Sequence, residues 1–224
     1  SGWAGGASPS AVAYDPTLGA LFVTDRANDS VTILAASSGR VEGSVPVGRQ
    51  PEAIVDLVSL GLLVVANAGS DNLTVLNAST AAPEGPSIPV GPGPAALLWD
   101  PSVGRLVVAD YGGSNLTLVN LARHRSVGSL PVGLDPVALA LDPSTGEVFA
   151  VNSGSNNVTG VDPADPTAPS INVPVGADPH GIAFDPATRQ FWVTDFGDGN
   201  LTRINSTDPA LAPHHRPDRC VPGS

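Results

Sequence analysis

Lysine is absent from the 224-residue chain, and its ten basic residues, all arginine, stand against 21 acidic ones. The net charge of −11 repels nucleic acid and anionic lipid, so neither is an expected partner. Cysteine occurs once, as Cys220, which excludes an intrachain disulfide and leaves the redox compartment open. A single thiol near a chain end is either idle or bridges two chains. No stretch of about 18 apolar residues is present, so membrane insertion by a helix is not expected. No stretch carries a 3.6-residue apolar period of helical length either. The chain opens at Ser1 without methionine, a charged leader or an apolar leader, as expected of a processed mature chain or a piece of a longer one.

What is abundant is glycine (25) and proline (23), in a sequence that is 42 % hydrophobic. Apolar runs punctuated this densely imply many tight turns between short strands, not disorder.

The punctuation is periodic. Pro9, Pro51, Pro94, Pro136 and Pro179 recur at spacings of 42 or 43 residues. Sixteen residues after each comes Asp25, Asn67, Asp110, Asn152 or Asp195, and twenty-three after each comes Thr32, Thr74, Thr117, Thr159 or Thr202. The chain is therefore five tandem units, at about 8–49, 50–92, 93–134, 135–177 and 178–220.

Each unit parses into four strands rich in β-branched and aromatic residues and bounded by Gly, Pro, Asn or Asp. The first strands are AVAY, AIVDL, ALLW, ALAL and GIAF, and the second are LFVT, LVVA, LVVA, VFAV and FWVT. The third are SVTIL, NLTVL, NLTLV, NVTGV and NLTRI, and the fourth end in VPVG, IPVG, LPVG and VPVG. The fourth strand carries Pro46, Pro89, Pro131, Pro174 or Pro217, and a proline that cannot donate to a ladder belongs on an edge. The first strand carries a small residue (Ala11, Ala53, Ala96, Ala138, Gly181), suited to a crowded inner rim. Such four-stranded units cannot bury both faces alone and must stack on one another. The fold class expected is all-β, a β-propeller of five four-stranded antiparallel blades forming one domain over 1–224. Residues 1–7, with Trp3, are the expected closing strand of a five-bladed ring. The alternative is an open array, completed by neighbouring subunits.

The opening P-x-A-I/V/L-A, the D-P-x-x-G turn, the strand endings V-T-D and V-A-N, the N-L/V-T strand and the closing V-P-V-G resemble the YVTN-type β-propeller repeat of archaeal and bacterial surface-layer-like proteins. The resemblance covers residues 8–222, and the NHL-type repeat is the second match. It implies a propeller, and such surface-layer propellers usually have more than five blades. Here Val221-Pro222 begins what would be a sixth unit, and unit five ends in HHRPDRC, so its fourth strand is expected to be polar or poorly formed. Fold alone does not imply function.

Seven N-x-S/T sequons form the densest functional signal: Asn28, Asn72, Asn77, Asn115, Asn157, Asn200 and Asn205. Chance placement of the asparagines would give roughly two. Asn72, Asn115, Asn157 and Asn200 share one slot of the repeat, where turn and strand preference alone produce the pattern. As glycan sites, the seven would carry covalent N-linked sugars and fit a sparsely charged surface coat. The Asp/Asn slot is either a ring of cation ligands or a turn cap after the second strand, and recurrence in every unit favours the cap. Asp15, Asp100, Asp142 and Asp185 in the Asp-Pro turns get the same reading. His180 lies beside an inner strand, where some propeller lyases place a histidine. His214, His215 and Cys220 are metal-type residues in no firm motif. Tyr111 and Phe196 follow the slot and are candidates to stack on a sugar.

No catalytic residue, metal site or cofactor is expected. The function expected is a non-enzymatic, extracellular or cell-surface scaffold, structural or adhesive, N-glycosylated, and a homo-oligomer or polymer as coat or fibre. The alternatives are a propeller enzyme of the lyase or lactonase kind and a sugar-binding propeller.

Overall fold

A computed structural model of the chain describes residues 8–207 and 214–216. Unit one is β1 (Pro9–Asp15), β2 (Ala20–Asp25), β3 (Ser30–Ala35) and β4 (Val41–Pro46). Unit two is β5 (Pro51–Leu57), β6 (Leu62–Asn67), β7 (Asn72–Asn77) and β8 (Ile88–Pro89). Unit three is β9 (Pro94–Asp100), β10 (Arg105–Asp110), β11 (Asn115–Asn120) and β12 (Arg125–Pro131). Unit four is β13 (Pro136–Leu141), β14 (Val148–Asn152), β15 (Asn157–Val161) and β16 (Ile171–Pro174). Unit five is β17 (Pro179–Asp185), β18 (Gln190–Asp195), β19 (Asn200–Asn205) and β20 (His214–Arg216). Each unit forms its own antiparallel sheet, with its strands side by side in chain order. Two single turns of 3₁₀ helix, Val58–Leu60 and Tyr111–Gly113, are the only helical elements among the described residues, and neither is long enough to cross a membrane.

Local chemistry sets the hairpins. Asp15 Oδ1 accepts from the Thr17 amide at 2.6 Å and from the Leu18 amide at 3.0 Å, and Asp100, Asp142 and Asp185 cap their turns in the same way. These bonds hold the Asp15 carboxyl below its usual range, led by the Thr17 hydroxyl. All five turns then place a left-handed residue: four use Gly19, Gly61, Gly104 or Gly146, whereas unit five puts Arg189 there at φ 55°.

The anchor prolines pair with the Asp/Asn slot: Pro9 with Asp25, Pro51 with Asn67, Pro94 with Asp110, Pro136 with Asn152, and Pro179 with Asp195. A register irregularity follows in every blade, which accommodates a proline at the start of a strand. Pro46, Pro89, Pro131 and Pro174 lie on the outermost strand, as their missing N–H requires. Pro217 and Trp3 fall outside the described residues. The fourth strand of unit five is a three-residue strand paired with β19.

The first strands gather at the inside, β1 against β5, β5 against β9, β9 against β13, and β13 against β17. This is a β-propeller arrangement. Among the described residues the core is four apolar slabs, one between each pair of consecutive blades. Phe22 and Val31 of unit one meet Leu63 and Val65 of unit two, and Phe149 of unit four stacks on Phe191 of unit five with ring centroids 4.2 Å apart. Each fully buried phenylalanine contributes about 1.5–3 kcal/mol. β17 and β1 are not packed together as the other first strands are. On the face of unit one turned away from unit two, Val12 and Tyr14 are 61 % and 53 % exposed, whereas the equivalent Leu97 and Trp99 pack against unit two.

Candidate functional site

Three polar groups of side chains recur or converge in the blades. The first is internal. Asp25, Asn67, Asp110, Asn152 and Asp195 end the second strands and are all buried. In unit three, Asp110 Oδ2 accepts from Asn115 Nδ2 at 2.7 Å and from the Thr117 hydroxyl at 2.6 Å. Units two and four run the same network with opposite polarity. Asn67 Nδ2 donates to Asn72 Oδ1 at 2.9 Å and to Thr74 Oγ1 at 3.0 Å, and Asn152 Nδ2 donates to Asn157 Oδ1 and Thr159 Oγ1, both at 2.9 Å. Thr202 donates to Asp195 at 2.6 Å in unit five. The slot is thus a structural lock between the second and third strands. Burial pushes the Asp110 carboxyl up to about 6, against the bonds from Thr117, the Gly91 amide and Asn115 and with a small contribution from Asp71.

One carboxylate breaks the repeat. Asp56 occupies the position held by Tyr14, Trp99, Leu141 and Phe184 in the other units. Neither of its carboxylate oxygens has a hydrogen-bond partner, and burial, then the nearby Asp15, raises its pKa. The sequence signal was there, an acid in an otherwise apolar series.

The sequons divide by geometry. Asn115 Nδ2 bonds Asp110 and Ser129, Asn157 Nδ2 bonds Asn172 at 2.9 Å, and Asn28 Nδ2 bonds Asp25 at 2.7 Å. These asparagine side chains, with Thr117 and Thr159 in units three and four, therefore have a structural task within the blade. Asn72 Oδ1 serves the lock, and Asn200 is half-buried at the same place in unit five. Asn77 and Asn205 belong to another set, capping the turn after the third strand. Asn77 Oδ1 accepts from the Ser79 and Thr80 amides, and Asn205 Oδ1 from the Thr207 amide. Asn120 and Asp162 do the same in units three and four without forming a sequon. Asn205 is exposed, whereas Asn77 is half-buried with its Nδ2 3.1 Å from Glu84.

The third group is the inner mouth. The residue after each anchor proline is Ser10, Glu52, Ala95, Val137 or His180, and the residue after each slot is Arg26, Ala68, Tyr111, Ser153 or Phe196. The backbone brings the two series together, since the amide of each of the latter donates to the carbonyl just before the anchor, at 2.8–3.1 Å. Both series differ in all five units, while the prolines and threonines beside them do not change. Arg26 pairs with Glu52 at 2.8 Å. A cavity of about 480 Å³ opens there, with Arg26, Gln50, Glu52, Tyr111 and Val137 in its wall. In unit five, His180 packs on Phe196 at 5.6 Å between centroids, with Nδ1 3.1 Å from the Asp178 carbonyl. Sequence reasoning singled out His180, Tyr111 and Phe196 here and missed Arg26 and Glu52.

His214 and His215 lie on β20, and Cys220 is outside the described residues. No three His, Cys, Asp or Glu side chains cluster as a metal site among the described residues.

No protein-family model matches the chain, and no curated protein matches it. Solved structures do. A chain of Kuenenia stuttgartiensis hydrazine synthase superposes with a TM-score of 0.65 at 19 % identity, over 91 % of this chain and 78 % of that one. A streptogramin B lyase superposes with a TM-score of 0.75 at 15 % identity, over 93 % of this chain and 67 % of that one. At these identities the likeness is one of fold.

Proposed function

We propose that the chain is a non-enzymatic, extracellular β-propeller serving as a structural scaffold at a cell surface, N-glycosylated and packed with further copies of itself. The observation that carries this is the use made of the recurring polar side chains. In the slot network they bond to one another inside the blade and spend their chemistry on holding it together. The outward face of unit one, with Val12 and Tyr14, is where another copy would pack. The YVTN-like pattern supports the same reading. Electron micrographs of native material are expected to show a lattice or filaments, and discrete single particles alone would count against the assembly.

Glycan occupancy is expected to follow the side-chain amides. Asn205 is occupied first and Asn77 next, because their turns are superficial and their Oδ1 atoms do the capping. Asn115 is occupied least, because a glycan on Nδ2 displaces one of its two bonds. Intact-mass measurement and peptide mapping of natively secreted protein test this, and the bare polypeptide mass would remove the glycoprotein reading.

A second reading, an enzyme of the lyase kind, is favoured by His180 at the mouth of a fold shared with a streptogramin B lyase. Incubation with streptogramin B separates the two. Consumption of the substrate that His180→Ala abolishes supports the enzyme, and an unchanged substrate supports the scaffold.

A further inference from the structure

We infer that the inner mouth is a carbohydrate-binding site, taking one or two neutral pyranose rings between the Tyr111 ring and the Arg26–Glu52 pair.

Four observations converge on it. The cavity of about 480 Å³ falls in the ordinary range for small-ligand sites, about 300–1,000 Å³. Six of its eight lining residues come from the two series in which the five units all differ, the first of which directly follows the invariant anchor prolines. Residues needed by the fold repeat in every unit, whereas residues that shape a single asymmetric site must break the repeat.

The chemistry of the wall then selects the ligand. Glu52 and Arg26 lie 2.8 Å apart, so one carboxylate and one guanidinium offer acceptors and donors side by side. Adjacent sugar hydroxyls, each donor and acceptor at once, can bond to both without separating the pair. The Gln50 side chain adds an amide NH₂ group that donates and a carbonyl oxygen that accepts. A charged ligand would have to break the ion pair, and an anionic one would also meet the net charge of −11.

The remaining wall is apolar and aromatic. Tyr111 is 45 % exposed on a 3₁₀ turn, its amide tied to the Gly93 carbonyl at 3.1 Å. Ala95 and Val137 line the same cavity. A half-exposed aromatic ring beside small aliphatic groups fits the C–H face of a pyranose, whose hydroxyl rim then meets Gln50, Glu52 and Arg26. A purely apolar ligand would strip water from that polar rim and give it no hydrogen bond in return.

This assignment does not depend on the protein's own glycosylation, and unglycosylated protein serves for the test. Full-length chain is titrated by calorimetry and by saturation-transfer NMR with methyl hexopyranosides, lactose, maltose and, as charged comparators, glucuronate and glucosamine. Saturable binding of at least one neutral sugar is expected, with Kd on the order of 0.1–10 mM. Tyr111→Ala and Glu52→Gln are each expected to weaken it at least about tenfold, while Val127→Ala on the outer strand leaves it unchanged. Tyr111→Phe, which keeps the ring, is expected to retain binding and so guards against a folding defect in the alanine variant. Absence of saturable binding at about 50 mM of every neutral sugar overturns the site. So does binding that Tyr111→Ala leaves intact, or a preference for the charged comparators. None of these outcomes bears on glycan occupancy or on assembly, so the two proposals fail separately.

Discussion

Asp110→Asn is expected to stabilise the protein by about 2–3 kcal/mol above pH 6 and to remove a pH dependence that the parent chain shows between about pH 4 and pH 6. Asp110 is fully buried, and one of its carboxylate oxygens, Oδ1, has no hydrogen-bond partner. Burial raises its pKa from 3.8 to about 6 in the folded chain. A raised carboxyl pKa means that the native state holds the proton more tightly than the unfolded chain does. Its contribution is therefore fully present below about pH 4. It is lost as pH rises to about 6, by roughly 3 kcal/mol at 1.36 kcal/mol per unit. An amide of the same shape does not ionise and avoids this loss.

The repeat itself shows that the amide fits. Asn67 and Asn152 occupy the same slot and donate where Asp110 accepts. For the substitution to follow them, the Asn115 amide turns over and the Thr117 hydroxyl rotates. The Ser129 contact of Asn115 survives the turn, because a hydroxyl both donates and accepts. Urea unfolding at a series of pH values measures the effect. Parallel curves for parent and variant from pH 4 to 7 would show that Asp110 does not titrate as its burial implies.

Blade architecture was legible in the sequence because it is enforced five times. A proline that cannot donate, an Asp-Pro turn that caps itself and a strand of small residues each have one physically acceptable place, and Pro46, Asp15 and Ala11 could be placed from sequence alone. Contacts between blades were harder to read. Gly48, Gly91, Gly133 and Gly176 end the P-V-G stretch and look like strand terminators. In the structure, each lies against the slot residue of the following blade: Asn67, Asp110, Asn152 and Asp195 respectively. The signal was available, since a glycine precedes every anchor proline by three residues, Gly6 included. Its reason is a tertiary approach that one-dimensional spacing does not reveal. The mouth was half legible for a related reason. Repetition directs attention to what stays the same, and Arg26 and Glu52 matter because they differ from their counterparts. The shared sequon slot carries two readings at once, since in units two, three and four its Asn and Thr serve the lock within the blade whether or not a sugar is attached.

Gly91→Ala is expected to cost about 3 kcal/mol and to lower Tm by about 6–12 °C. The backbone there has no left-handed φ, so the cost is not conformational. A methyl group on Gly91 would lie 2.5 Å from Asp110 Cγ and 2.8 Å from its Cβ, inside any real carbon–carbon contact. Asp110 cannot withdraw, because Asn115 and Thr117 hold its carboxylate. The connecting chain cannot lift away without losing the bond from the Gly91 amide to Thr117 Oγ1 at 3.1 Å and that from the Val90 amide to the Asp71 carbonyl at 3.1 Å. Gly43→Ala provides the contrast: nothing lies within 4 Å of the added carbon, and the change is expected to stay within about 0.5 kcal/mol. Adding Asp110→Ala to the Gly91 variant removes the obstructing Cγ and carboxylate, so the double-mutant cycle should show a favourable coupling of at least about 1 kcal/mol. Asp110→Asn keeps the same bulk and should relieve nothing. If Gly91→Ala and Gly43→Ala melt alike, the glycine is not what seats one blade on the next. The stability of the array would then rest on the apolar slabs alone.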